Sequence, residues 1–186
     1  MKKWLFNPFI YLAGTRALLI GLAAMVLTGL IGFYSHTHFD GVIDIHSGRI
    51  SPLTSHLLEQ LIVWGVATAF FYLSGIIFST SRIRFIDVAG TMAFARWVMI
   101  FPALLGFLVH APATQPQTVD EIMKMITPGF IAVGLLSVVF AIWLVALMYN
   151  AYTVSCNMKG GKATGTFIVT LILAETLASL IIHYCL

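Results

Sequence analysis

FIDVAGTMAFARWVMIFPALLGFLV, residues 85–109, is the stretch on which the fold turns. A helix rises about 1.5 Å per residue, so about 20 apolar residues cross a hydrocarbon layer of about 30 Å. The stretch is long and apolar enough to do this, yet Arg96 stands near its middle. Counted from Val88, Arg96 lies ~12 Å into the layer. A lone arginine there costs roughly 2.5–3.5 kcal/mol on insertion scales. It needs a partner or a wet cavity. The candidate partner is Glu175, in the last apolar stretch.

Outward from this stretch, the whole chain reads the same way. Its 186 residues are 60% hydrophobic and only 9% charged, and mean hydropathy is +0.98. Soluble domains carry about 25% charged residues. The composition fits one lipid-embedded, all-α domain, residues 1–186, with spans near 12–34, 57–79, 87–109, 128–152 and 164–185. The apolar core of the first is too long for a signal peptide, and no A-x-A-like cleavage site follows it, so it is expected to stay as a span. Trp4, Phe6, Phe9 and Tyr11 form an aromatic cluster suited to the interface. Pro102 predicts a kink in the third span, because it removes a backbone hydrogen bond and exposes the carbonyl near Val98. Thr127-Pro128 reads as an N-cap and first helical position. Residues 118–124 fit a short interfacial helix.

Charge placement gives an orientation. Lys2, Lys3, Arg82, Arg84, Lys159 and Lys162 fall on one side of a five-span arrangement, with Arg16 at its edge; Arg49 and Lys124 fall on the other. The positive-inside rule then predicts a cytosolic N-terminus and an outer C-terminus. The net charge of +3 is spread over loops and makes no nucleic-acid patch. Cys156 and Cys185 fall at opposite membrane faces, so no disulfide between them is expected.

Third and fifth spans both run outward, and Glu175 lies ~16 Å deep. This predicts a direct Arg96–Glu175 pair with the two helices in or near contact, a structural pair that fixes packing or part of an ion or substrate path. Ser179 and His183 follow Glu175 at i, i+4 steps and share its face as a polar stripe. Glu59 and Gln60 lie in the first turn of the second span, where an acid suits the helix dipole.

The outer loop SHTHFDGVIDIHSGRISPLTS, residues 35–55, is rich in metal-ligating types. His36, His38, Asp40, Asp44, His46 and, just beyond it, His56 invite a metal-site reading, of which His36, His38, Asp44 and His46 are weak metal candidates. Asp40-Gly41 is a good two-residue hairpin turn, pairing Phe39 with Val42 and His38 with Ile43. Alternation then sets His36 and His38 on one face and Asp44 and His46 on the other, so a single site needs a different loop fold. No cofactor is expected. Residues 159–164, KGGKAT, lack the upstream glycine of a phosphate-binding loop, Cys156 standing in its place, and the Ser or Thr directly after Lys162, and neither HExxH nor a nucleophile elbow is present, so no enzyme is expected.

Small residues recur at helical spacing: Ala17 and Gly21, then Ala24, Thr28 and Gly32, then Gly65 and Ala69. Such ridges permit close helix contact, within the chain or in a homo- or hetero-oligomer. The NPF at 7–9, FDGVIDIH at 39–46, FIDVAGTMAFAR…FP at 85–102, and the run from Trp143 to Glu175 carry a wider likeness. In these the chain resembles the Yip domain family of Ypt/Rab-interacting membrane proteins, in its short bacterial form. The resemblance implies five spans, a cytosolic N-terminus and a bacterial inner membrane location. Eukaryotic relatives act in vesicle trafficking with Rab-type GTPases and carry a long cytosolic N-terminal region. Only about ten residues precede the membrane here by the span count, so GTPase binding is not carried over.

Two readings follow. One is a non-enzymatic scaffold or adaptor associating with membrane proteins or lipids. The other is a small transporter or channel built around Arg96 and Glu175. Hydration separates them: a transporter needs a polar cavity reaching the buried charges.

Overall fold

The computed structural model describes residues 2–47, 50–109, 123 and 126–186. The expected helix at 118–124 and the charges of Arg49 and Lys124 lie outside the described residues. The chain is an all-α bundle of five helices long and apolar enough to cross a membrane. A short α1, Lys2–Phe6, precedes α2, Gly14–Ser35, and α3, Leu53–Phe78. The third span, Phe85–Leu108, is broken into α4, Phe85–Ala95, a 3₁₀ stretch, Arg96–Met99, and α5, Ile100–Leu105. Then come α6, Pro128–Ser155, and α7, Gly160–Cys185. The end that carries residues 36–52 is here the loop end; Arg82, Arg84, Lys159 and Lys162 mark the basic end.

Local chemistry explains the boundaries. Thr127 caps α6 as expected: its Oγ1 accepts from the Phe130 amide at 3.1 Å, and Pro128 holds the first helical position. His36 closes α2 in the left-handed conformation, φ 53°, with its N–H on the Gly32 carbonyl. The expected break near Pro102 takes the form of tightened 3₁₀ turns just upstream. The proline ring collides with the carbonyl four residues back, Val98, and the ladder there is rewound. Arg96 begins this rewound stretch.

Close backbone approach sets the packing. α2 lies along α4, and a Cβ on Gly21 would overlap the Ala93–Phe94 backbone. Part of the small-residue ridge is thus consumed inside the chain. α3 touches α2, α4 and α7, whereas α6 leans on α4. The basic half of α6 is well anchored through buried Leu144, Leu147, Met148 and Tyr152. The Tyr152 hydroxyl also bonds Ser74 at 2.8 Å and Thr166 at 3.0 Å, tying α3, α6 and α7. The N-terminal aromatics lie along this half: Trp143 donates its indole N–H to the Leu5 carbonyl and Asn150 its amide to that of Phe6. Toward the loop end, α6 stands off and leaves a cleft of about 340 Å³ against α5 and residues 43–47.

Residues 37–47 do not form the tight hairpin expected at Asp40-Gly41. β1, Thr37–His38, and β2, His46–Ser47, pair antiparallel with Thr37 opposite Ser47 and His38 opposite His46. The intervening residues 39–45 form a wide tip that dips into the bundle. Phe39 and Val42 are each only 1% exposed. A two-residue turn would leave both at its outer tip; burying them outweighs the local preference of Asp-Gly. Cys156 and Cys185 are free thiols, one buried and one exposed, separated by the length of α7.

Gly21→Val should be destabilising by about 1–3 kcal/mol, the usual range for overpacking. Thermal unfolding in mild detergent, followed by size-exclusion profile, should show an earlier transition. Gly65→Val should leave it unmoved, because nothing lies within 4 Å of a Cβ at Gly65.

Candidate functional site

The buried charges do not pair directly. Among the described residues no Arg96–Glu175 ion pair forms, and the second span lies between the third and fifth. The dipping loop occupies the place where the two charges would have met. Arg96, 3% exposed, donates from Nη1 to the Val42 carbonyl at 3.1 Å. Its Nε and Nη2 both reach Gln60 Oε1, at 3.4 and 3.3 Å. Glu175 Oε2 accepts from the Ile43 amide at 3.0 Å. Consecutive loop residues are therefore gripped by a cation on one side and a carboxylate on the other. A Cβ at Gly41 would overlap Glu175 Oε1, so a larger residue there would displace the carboxylate.

The polar stripe does not turn inward as a unit. α7 buries Phe167, Thr170, Ala174, Ala178 and Ile182. Glu175 and Ser179 flank that face half-buried, and His183 is exposed, set edge-on to Tyr184.

A second polar cluster sits at the loop end. α3 presents His56, Glu59 and Gln60 on one buried face. His38 comes to meet them from β1. Its Nδ1 lies 2.7 Å from Glu59 Oε1, and the Phe39 amide donates to Glu59 Oε2 at 3.2 Å. The His38 and His56 rings stack at 4.2 Å between centroids. Ser51 Oγ lies 3.2 Å from His38 Nε2 and 3.3 Å from His56 Nε2. His46 also stacks on His38, at 5.8 Å between centroids, and its Nδ1 meets Asp40 Oδ1 at 3.0 Å.

Two groups thus have metal-ligating composition: the buried His38, His56 and Glu59, and the more exposed Asp40, Asp44 and His46. Of the four residues read from sequence, His38 falls in the first, Asp44 and His46 in the second, and His36 in neither. The expected split of His38 from His46 onto opposite ribbon faces fails, because they are cross-strand partners. His56 stands in the wider sequence reading of metal-ligating types, whereas Glu59, Gln60 and Ser51 are not read there as site residues. Their signal is the spacing His56, Glu59, Gln60, at i, i+3, i+4, which sets three polar groups on one face of an apolar helix. Ser51, His38 and Glu59 also have the connectivity of nucleophile, base and orienting acid.

Asp40 and His46 perturb one another. The His46 imidazole is raised above its ordinary 6.5, chiefly by its hydrogen bond to Asp40, against an opposing effect of burial. Burial acts to raise the Asp40 carboxyl, but the His46 hydrogen bond and charge outweigh it and hold Asp40 below its ordinary 3.8.

No protein-family model matches this chain, nor does any curated protein or solved structure.

Arg96→Met should lower stability in detergent by about 1–3 kcal/mol for each buried acceptor stripped of its donor, here Gln60 Oε1 and the Val42 carbonyl. Gly41→Ala should destabilise in the same assay by forcing Glu175 off the loop. The His46 effect is present below the unfolded value and lost as pH rises through the raised one. The Asp40 effect is present above its unfolded value and lost as pH falls. NMR titration of the imidazole protons should place the His46 midpoint above that of Asp40→Asn.

Proposed function

We propose that the chain is a non-enzymatic multi-pass membrane protein of the Yip type, a scaffold or adaptor that associates with other membrane proteins or lipids. The observation that carries this reading is how the buried charge is used. Arg96 is almost fully enclosed, and its guanidinium is engaged with the Gln60 carbonyl oxygen and a loop carbonyl. A cation held in this way fixes the loop within the bundle and is not displayed along a hydrated path. That weighs against transport centred on this residue.

Helix faces left uncovered support the same reading. Gly65 and Ala69 keep an unfilled small-residue ridge on α3, of the kind that admits a second helix. The loop half of α6 likewise presents Leu135, Val138 and Ile142 outward. On this reading the N-terminus is cytosolic, the basic end faces the cytosol, and the protein resides in a bacterial inner membrane.

The test is co-purification from the native membrane with mass spectrometry, comparing the unaltered chain with Gly65→Leu/Ala69→Leu. Membrane proteins retained by the first and lost from the second, with equal folding of both, support the proposal. Solute flux in proteoliposomes that Arg96→Met abolishes without unfolding the protein would overturn it in favour of a carrier.

A further inference from the structure

We propose that Asp40, Asp44 and His46, where the dipping loop meets β2, form a site for a divalent transition-metal ion, which takes the place of the proton between Asp40 and His46.

The geometry of one contact carries the site. His46 Nδ1 and Asp40 Oδ1 lie 3.0 Å apart. The hydrogen bond between them is strongly bent, for Asp40 Oδ1, closed off from water, has no well-aligned donor. The two atoms are close without pointing at one another. Ligands of a common ion stand in this way: donors ~2.1 Å from an ion, at tetrahedral or octahedral angles, are about 3.0–3.4 Å apart. Asp44 supplies the third ligand, because one ligand atom from each of the three residues lies within 4.8 Å of the others. Asp44 and His46 are both exposed, so side-chain rotation closes the remaining gap. The proton on His46 Nδ1 leaves to solvent as the ion enters.

The fold holds the three residues in place beforehand. Asp40 and Asp44 flank the segment 41–43, in which Arg96 grips the Val42 carbonyl and Glu175 the Ile43 amide. Strand pairing opposite His38, and stacking on its ring, fix His46. The Ile45 amide donates to Asp44 Oδ1 at 2.9 Å and orients that carboxylate. Binding therefore orders side chains and leaves the backbone path as it is. Asp44 and His46 also line the cleft against α6, where water can complete the coordination shell. Two carboxylates balance a divalent charge, and the imidazole selects zinc, cobalt, nickel or copper over magnesium or calcium. The inner group is less suited, since Glu59 is already engaged by His38 Nδ1 and the Phe39 amide. An ion in the outer site bridges the loop from its exposed side, above the residues that the two buried charges hold from within.

The test uses the full chain in detergent, free of any histidine tag and stripped of metal, titrated with Zn²⁺ by calorimetry and with Co²⁺ by visible absorption. One saturable ion per chain is expected, with a cobalt spectrum of mixed nitrogen and oxygen ligation. His46→Gln, Asp44→Asn and Asp40→Asn should each weaken binding by at least about 10-fold, the least that even an outer partner of a ligand contributes. Zn²⁺ should raise the unfolding temperature of the unaltered chain and not that of His46→Gln. Asp44 and His46 are exposed, so their variants spare the core. Absence of saturable micromolar binding overturns the proposal. Zinc affinity unchanged in His46→Gln and Asp44→Asn but lost in His56→Gln overturns it too, by assigning the ion to the inner group. Ca²⁺ competing on equal terms with Zn²⁺ would reject the imidazole as a ligand, and the site with it.

Discussion

A guanidinium deep in an apolar bundle must find acceptors inside the protein, since lipid offers none. The rest of this structure depends on how that demand is met. Arg96 takes one acceptor from α3, Gln60, and one from the dipping loop, the Val42 carbonyl. The loop is therefore part of the membrane-embedded core and not a lid resting upon it. Glu175 holds the adjacent residue from the opposite side. Cation and carboxylate act in concert through one piece of backbone.

The same loop makes the second cluster. Carrying residues 39–45 into the bundle draws β1 down beside the first turns of α3, which sets His38 against His56 and Glu59. One α3 face thus serves both centres: Gln60 supports the arginine while its neighbours His56 and Glu59 face the imidazole stack. The bundle's architecture and its polar chemistry are consequences of a single connection.

The five spans were readable from hydropathy and length, because crossing lipid imposes a simple constraint on composition. The Thr127 cap and the disturbance near Pro102 were readable for similar reasons, being local. The path of the loop was not. Asp40-Gly41 is a strong turn signal, and the competing term, the burial of Phe39 and Val42, exists only once the helices define a cavity for them. The direct Arg96–Glu175 pair failed for the same reason. Depth along a helix is a one-dimensional quantity, and it matched; lateral placement, with α3 and the loop intervening, has no signature in the order of residues. His56, Glu59 and Gln60 left a trace in their spacing, but a run of polar residues at a helix start also suits the interface.

The dipping loop imposes an order on biogenesis. Residues 36–52 are synthesised before Arg96, and Glu175 comes last. While the early segments enter the bilayer, Phe39 and Val42 have no enclosed pocket, since the third helix that walls it is still to be made. Arg96 in turn arrives at the translocon before its carboxylate counterpart exists. The nascent chain must therefore rely on Gln60 and the loop carbonyl to bring the arginine into lipid, and the final helix clasps a plug already seated by the third.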